Sequence, residues 1–147
     1  MTAELMSQLI FAAGFAQASI LVASVQVPSA LHWREELRPL PRLHRQMHWV
    51  YSGYVVLSIV AFAAISISNA RELAGGGALA RAMCAYIAVF WGVRLALQAV
   101  FDLRPYLTTP VKRAGAAALT LLFALLTLVY GLAATGTAAG GVSTSNW

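Results

Sequence analysis

The chain has 147 residues, of which 60% are hydrophobic and 10% are charged, and its mean hydropathy is +0.73. Because an average soluble domain carries about 25% charged residues, this composition excludes an ordinary water-soluble fold and indicates a chain surrounded by lipid. The net charge of +5 comes from basic residues between apolar runs, which indicates topology signals and lipid headgroup contacts and no nucleic-acid binding.

Four apolar segments follow one another along the chain, and each is long enough to cross a bilayer at about 1.5 Å per residue. They cover residues 5–27, 47–68, 78–101 and 114–135. Because backbone groups in lipid must be hydrogen-bonded within their own segment, each run is predicted to be a helix. The short connections predict one domain over 1–136, an all-α integral membrane antiparallel four-helix bundle with up-down-up-down topology. The small, polar tail 137–147 is predicted to be flexible.

Basic residues are distributed unequally between the connections. The segments 28–46 and 102–113 together contain seven Arg and Lys residues, whereas the connection between the second and third spans has only Arg71 and Arg81. The positive-inside rule therefore predicts that both termini lie on the non-cytoplasmic side. Nine Arg against one Lys indicates a bacterial chain, and we expect a multi-pass protein of the inner membrane.

The first connection, 28–46, is long for a bundle of this size. Residues 31–37 are predicted to form a short amphipathic helix at the membrane interface. Pro39 and Pro41 follow and are predicted to break the chain and set a new direction for the second span.

Arg94 lies inside the third span, about two turns before its end. Gln98 follows at i+4 and Asp102 at i+8, so the three residues are predicted to share one helix face. A charge at this depth costs several kcal/mol unless it has a partner or a wet cavity. Two interpretations remain open. In the structural one, the guanidinium locks the bundle by binding carbonyls at the span ends or by reaching Asp102, Glu35 or Glu36, or its long stem extends toward the cytoplasmic boundary. In the functional one, it binds an anionic ligand such as a lipid phosphate or a carboxylate.

The second span begins with side chains that antiparallel packing brings to the level of Arg94. His48, Tyr51 and Tyr54 are therefore candidate ligand-binding residues beside Arg94, Gln98 and Asp102. Two interpretations of the tyrosine pair are open: a flat apolar ligand such as a quinone lies between the two rings, or the rings pack ordinarily and their hydroxyls bind Arg94 or Gln98. No catalytic residue is assigned.

Three histidines near the start of the second span are candidate metal ligands. His44 and His48 lie at i, i+4 on one helix face, and His32 lies in the preceding connection. The HExxH pattern is absent and no other clustered ligands complete a site, so no metal is predicted, with a three-histidine site as the alternative. Haem needs axial ligands on opposite faces of the porphyrin, and two histidines on one helix face cannot supply both. We therefore expect no cofactor, with haem or quinone as the alternative.

Two features of the first span predict contact with another helix. Gln17 lies in mid-span, where an amide facing lipid has no partner. Gly14 and Ala18 are small residues four positions apart, a spacing that permits close helix approach.

No motif identifies a reaction. The sequence predicts a small polytopic membrane protein that acts as a structural or accessory subunit, self-associating or packing against a larger membrane complex, with a cytoplasm-side polar cluster around Arg94. Its predicted partners are membrane lipid and either a second copy or a larger complex, without nucleic acid. The alternative is a lipid- or quinone-binding enzyme or redox subunit that uses Arg94, Asp102 and His48 in an intramembrane pocket; whether the protein is an enzyme stays open.

Overall fold

The structure, a computed structural model, describes residues 2–30, 32–101, 105 and 107–136, and within these ranges it leaves the side chains of 27–30 and 33 undescribed. The described residues are all-helical, with four long helices and two short ones. In chain order they are α1 (Ala3–Ala30), α2 (Trp33–Glu36), α3 (Arg42–Ser68), α4 (Ala70–Ala74), α5 (Ala78–Val100) and α6 (Pro110–Thr135). Each long helix contains a stretch long and apolar enough to cross a membrane, so the structure has four candidate spans, as many as the sequence predicts, and they indicate a membrane protein.

Local sequence signals set both ends of α6. The Thr109 hydroxyl accepts a hydrogen bond from the backbone N–H of Lys112 at 3.3 Å, and so satisfies one of the donors that a helix start leaves without a partner. Pro110 occupies the first helical position, where its missing N–H costs nothing. Gly136 follows the helix in the left-handed conformation at φ 72°, which glycine adopts without a Cβ penalty.

The connection between α1 and α3 differs in detail from the prediction. The amphipathic helix predicted over 31–37 is limited to α2, four residues long, and residue 31 lies outside the described residues. The second span begins at Arg42, five residues before the predicted start, because α3 includes the basic turn that hydropathy assigns to the connection. Pro41 precedes α3 directly. This position is expected, because the proline ring clashes with a preceding helical turn and proline has no N–H to donate to it.

Contacts at both ends show that α5 and α6 run in opposite directions. Near the start of α5, the Nε of Arg81 donates a hydrogen bond to the carbonyl of Ala134, close to the end of α6, at 2.9 Å. Near the end of α5, the Nε2 of Gln98 donates to the Thr120 hydroxyl at 2.8 Å, in the first half of α6.

The first span packs closely against α3 at Gly14. A Cβ added to this glycine would lie 2.7 Å from Cγ1 of Ile67 and 3.2 Å from the Ile67 backbone nitrogen. Gly14 therefore allows the two backbones to approach, as its predicted role as a small contact residue requires.

A buried polar junction joins three helices. Gln17 of α1, Ser66 of α3 and Tyr130 of α6 are all fully buried. The Nε2 of Gln17 donates to the Tyr130 hydroxyl at 2.6 Å, and the hydroxyls of Ser66 and Tyr130 share a hydrogen bond of 2.6 Å. Gln17 therefore faces other helices, which confirms the prediction from its mid-span position.

Aromatic rings fill the core beside this junction. Trp91 of α5 is fully buried, with its ring centroid 5.2 Å from that of Phe123 in α6 and 5.3 Å from that of Phe90. Phe62 of α3 meets Phe90 edge to face at 5.1 Å and Tyr86 at 5.6 Å. These contacts join α3, α5 and α6 and fix the position of the face of α5 that carries Arg94.

Candidate functional site

A groove of about 720 Å³ opens between α1, α3 and α5, on the side of the molecule where α3 begins. The N-terminal half of α3 forms most of its wall, Ser24 and Val25 of α1 form one edge, and Arg94 of α5 reaches it from the opposite side. We call this cavity the Arg94 groove. Its lining residues on α3 run from His48 to Ile59, which corresponds to a length of about 16 Å at 1.5 Å per residue.

The guanidinium of Arg94 is the cationic group of this groove. The residue is half-buried, and its Nε is shielded from the surface and has no hydrogen-bond partner among the described residues. Of the described residues that line the groove, none is Asp or Glu. The structure therefore places the Arg94 charge between helices, and the described lining supplies no carboxylate to pair with it.

Arg94 belongs to a face of α5 on which several buried polar atoms have no hydrogen-bond partner among the described residues. Trp91, Arg94 and Gln98 follow at i, i+3 and i+7, so they share one face. The Trp91 Nε1, the Arg94 Nε and the Gln98 Oε1 are all buried without a hydrogen-bond partner within the described ranges. Buried polar atoms are almost always hydrogen-bonded, so this face of α5 has unused hydrogen-bonding capacity toward groups outside the described residues.

The predicted continuation of this face to Asp102 lies outside the described residues. The helix ends at Val100, and Phe101 has extended backbone at φ −75° and ψ 129°. Asp102 itself lies outside the described residues, and its predicted pairing with Arg94 stays a prediction. Gln98 points to α6, since its Nε2 donates to Thr120.

The structure brings some of the predicted binding residues of α3 to Arg94 and leaves one apart. His48 and Tyr51 both line the Arg94 groove. His48 is half-buried, and its backbone carbonyl accepts a hydrogen bond from the Ser52 hydroxyl at 2.8 Å. This bond lies within one turn of α3. Tyr51 and Tyr54 are similarly exposed, at 61% and 64%, but only Tyr51 lines the groove.

The three-histidine metal alternative is not formed. His44 is exposed on α3 one turn before His48, and His32 is exposed in the turn between α1 and α2, with φ 50°. In the part of the chain that the structure describes, no group of three or more His, Cys, Asp or Glu side chains is placed to hold a metal ion.

Three apolar residues of the groove wall, Val25, Val56 and Ile59, were not among the predicted binding residues. Nothing in an apolar run distinguishes a groove wall from a lipid-facing surface.

Chemically, the groove combines a planar cation, an imidazole and hydroxyls with an apolar wall, and this set suits an oxyanion attached to an apolar group. Comparison of the chain with protein-family models, with curated proteins and with solved structures finds no match.

Proposed function

We propose that this membrane protein binds a ligand with an anionic group in the Arg94 groove. The observation that supports this function is a shielded guanidinium nitrogen without a hydrogen-bond partner among the described residues, in a groove whose described lining has no carboxylate. Within a membrane such a charge is costly, and intramembrane ionisable residues commonly mark ligand or ion sites. An anionic ligand supplies the missing charge and the missing hydrogen-bond acceptor together.

The proposal includes a topology. We place α1, α3, α5 and α6 in an up-down-up-down antiparallel bundle, with both termini on the non-cytoplasmic side of a bacterial inner membrane. The opposed directions of α5 and α6 and the contact of Gly14 with Ile67 support this arrangement. The basic residues near the starts of α3 and α6 support a cytoplasmic position for the end that carries the groove.

Two other roles are compatible with the same site. A structural or accessory subunit that self-associates or joins a larger membrane complex stays a prediction from composition. The enzyme or redox alternative is favoured by one specific observation, that His48 lines the same groove as Arg94. An imidazole beside a bound anion or carbonyl can donate or accept a proton.

The proposal is tested with dodecyl phosphate, a single-chain anionic amphiphile, added to the full-length protein in dodecyl maltoside. Binding is measured as the rise in thermal unfolding temperature with ligand concentration. We expect saturable stabilisation of the wild type and about a tenfold or greater loss of affinity in Arg94→Met, because a charge-assisted hydrogen bond contributes about 1.5–3 kcal/mol.

Arg81→Met is the matched control, since it removes the same charge from an exposed arginine of the same helix outside the groove. Equal affinity for dodecyl phosphate in the wild type and in Arg94→Met contradicts the proposed function. So does an equal loss of affinity in Arg81→Met, because net charge alone then accounts for binding.

A further inference from the structure

We infer that the ligand of the Arg94 groove is an anionic phospholipid, taken sideways from the leaflet that surrounds the start of α3. This inference rests on the proposed function and adds the class of ligand and its route. It depends on three properties of the groove: its open side, its length and the distribution of charge around it.

The groove is open toward the surface that faces lipid. Its edge residue Val25 on α1 is 73% exposed, and Tyr51 and Val56 on α3 are also exposed. In a membrane-spanning bundle, an exposed position at mid-helix, such as Val56 of α3, faces acyl chains, so a membrane lipid reaches the groove by lateral diffusion. A soluble anion would have to leave water and cross this apolar edge.

The length and polarity of the groove match one leaflet. Its lining residues on α3 cover about 16 Å along the helix, and half of a hydrocarbon core of about 30 Å is roughly 15 Å. Its polar groups, among them His48 and Ser52, lie toward the start of α3, and Val55, Val56 and Ile59 continue the wall deeper along the helix. An acyl chain along this wall leaves its headgroup among the polar groups.

Charge at the end of the bundle where α3 and α6 begin favours an anionic headgroup. Arg42 and Arg45 occupy the first turn of α3, and Lys112 and Arg113 occupy the first turn of α6. Each basic residue near a membrane surface adds to the attraction of anionic lipid. Arg94 lies about 9 Å before the end of α5, and an arginine stem can extend toward the headgroup level, where its planar fork fits a phosphate.

The experiment uses tryptophan fluorescence, because Trp49 lines the groove. The full-length protein with Trp33→Phe and Trp147→Phe is placed in phosphatidylcholine nanodiscs that contain increasing fractions of brominated phosphatidylglycerol. Brominated chains quench a nearby indole. We expect half-maximal quenching at a mole fraction about tenfold lower than with brominated phosphatidylcholine, and we expect Arg94→Met to abolish the difference.

A second variant keeps the test independent of folding defects at Arg94. Ser52→Glu places a carboxylate in the groove wall at a half-buried position, where it can act as an internal counter-ion for Arg94. We expect this variant to fold and to lose the preference for phosphatidylglycerol. Arg81→Met is expected to keep the preference.

Three outcomes overturn the inference. The first is equal quenching of the wild type by both brominated lipids. If dodecyl phosphate still binds through Arg94 in that case, only the class of ligand is wrong. If dodecyl phosphate does not bind through Arg94, the proposed function fails as well. The second is displacement of bound phosphatidylglycerol by millimolar glycerol 3-phosphate, which would identify a soluble phosphate as the ligand. The third is an unchanged preference in both Arg94→Met and Ser52→Glu.

Discussion

Removal of one hydroxyl from the buried polar junction should destabilise the bundle measurably. The Tyr130 hydroxyl lies 2.6 Å from Nε2 of Gln17 and 2.6 Å from Oγ of Ser66, and all three residues are fully buried. Tyr130→Phe keeps the ring and its packing and deletes only this bridging group. It leaves the Gln17 amide without its hydroxyl partner in a region where Oε1 already has no partner among the described residues.

The expected size follows from the two hydrogen bonds lost. Hydrogen bonds between membrane helices average about 0.6 kcal/mol and reach about 1.7 kcal/mol, so two give about 1–3 kcal/mol. Full burial and short distances favour the upper half of this range. Because Gln17 depends on the same hydroxyl, Gln17→Leu should cost less in the Tyr130→Phe background than in the wild type, with a coupling of about 1 kcal/mol.

The free energy of unfolding is measured in mixed micelles with increasing sodium dodecyl sulfate, and helicity is followed by circular dichroism. Tyr54→Phe is the control, because it removes the same hydroxyl from an exposed position of α3. A loss below about 0.3 kcal/mol in Tyr130→Phe, or an equal loss in Tyr54→Phe, would refute the assignment of this junction as a stabilising contact between helices.

Three further predictions use the same unfolding measurement. Gly14→Val should cost about 1–3 kcal/mol, because its added atoms collide with Ile67, and a neutral result would contradict the close helix contact. Thr109→Ala should cost about 1 kcal/mol through loss of the N-cap of α6, and Thr109→Ser should restore most of it. Arg81→Met should cost about 0.5–1 kcal/mol, because its Nε binds the last turn of α6 at Ala134; no change would show that this exposed contact contributes nothing.

Much of the fold follows from the sequence, because apolar length and the bilayer leave few alternatives. The four spans and the inward position of Gln17 were predicted, since an amide facing lipid is penalised wherever the chain places it. The boundaries were less accurate. Hydropathy placed the start of the second span at residue 47, whereas α3 begins at Arg42, because arginines near a membrane surface remain compatible with a helix.

The identity of contact partners could not be predicted in the same way. The cost of an amide facing lipid predicts that Gln17 faces another helix. It does not predict that the partner is Tyr130, 113 positions away, because that pairing depends on how the helices are rotated against each other. Tyr51 and Tyr54 illustrate the same limit at the site. Their spacing of three residues suggested one shared pocket, yet the rotation of α3 places only Tyr51 in the lining of the Arg94 groove.

The central claim is that an anionic group from outside the chain balances Arg94. Solid-state NMR of the full-length protein in phosphatidylglycerol bilayers tests it most directly, through dipolar coupling between arginine ¹³Cζ and lipid ³¹P. We predict a strongly coupled arginine signal, at the distance of a direct guanidinium–phosphate contact, that disappears in Arg94→Lys and persists in Arg81→Met. A spectrum in which Arg94→Lys leaves every coupled arginine signal in place would contradict the claim.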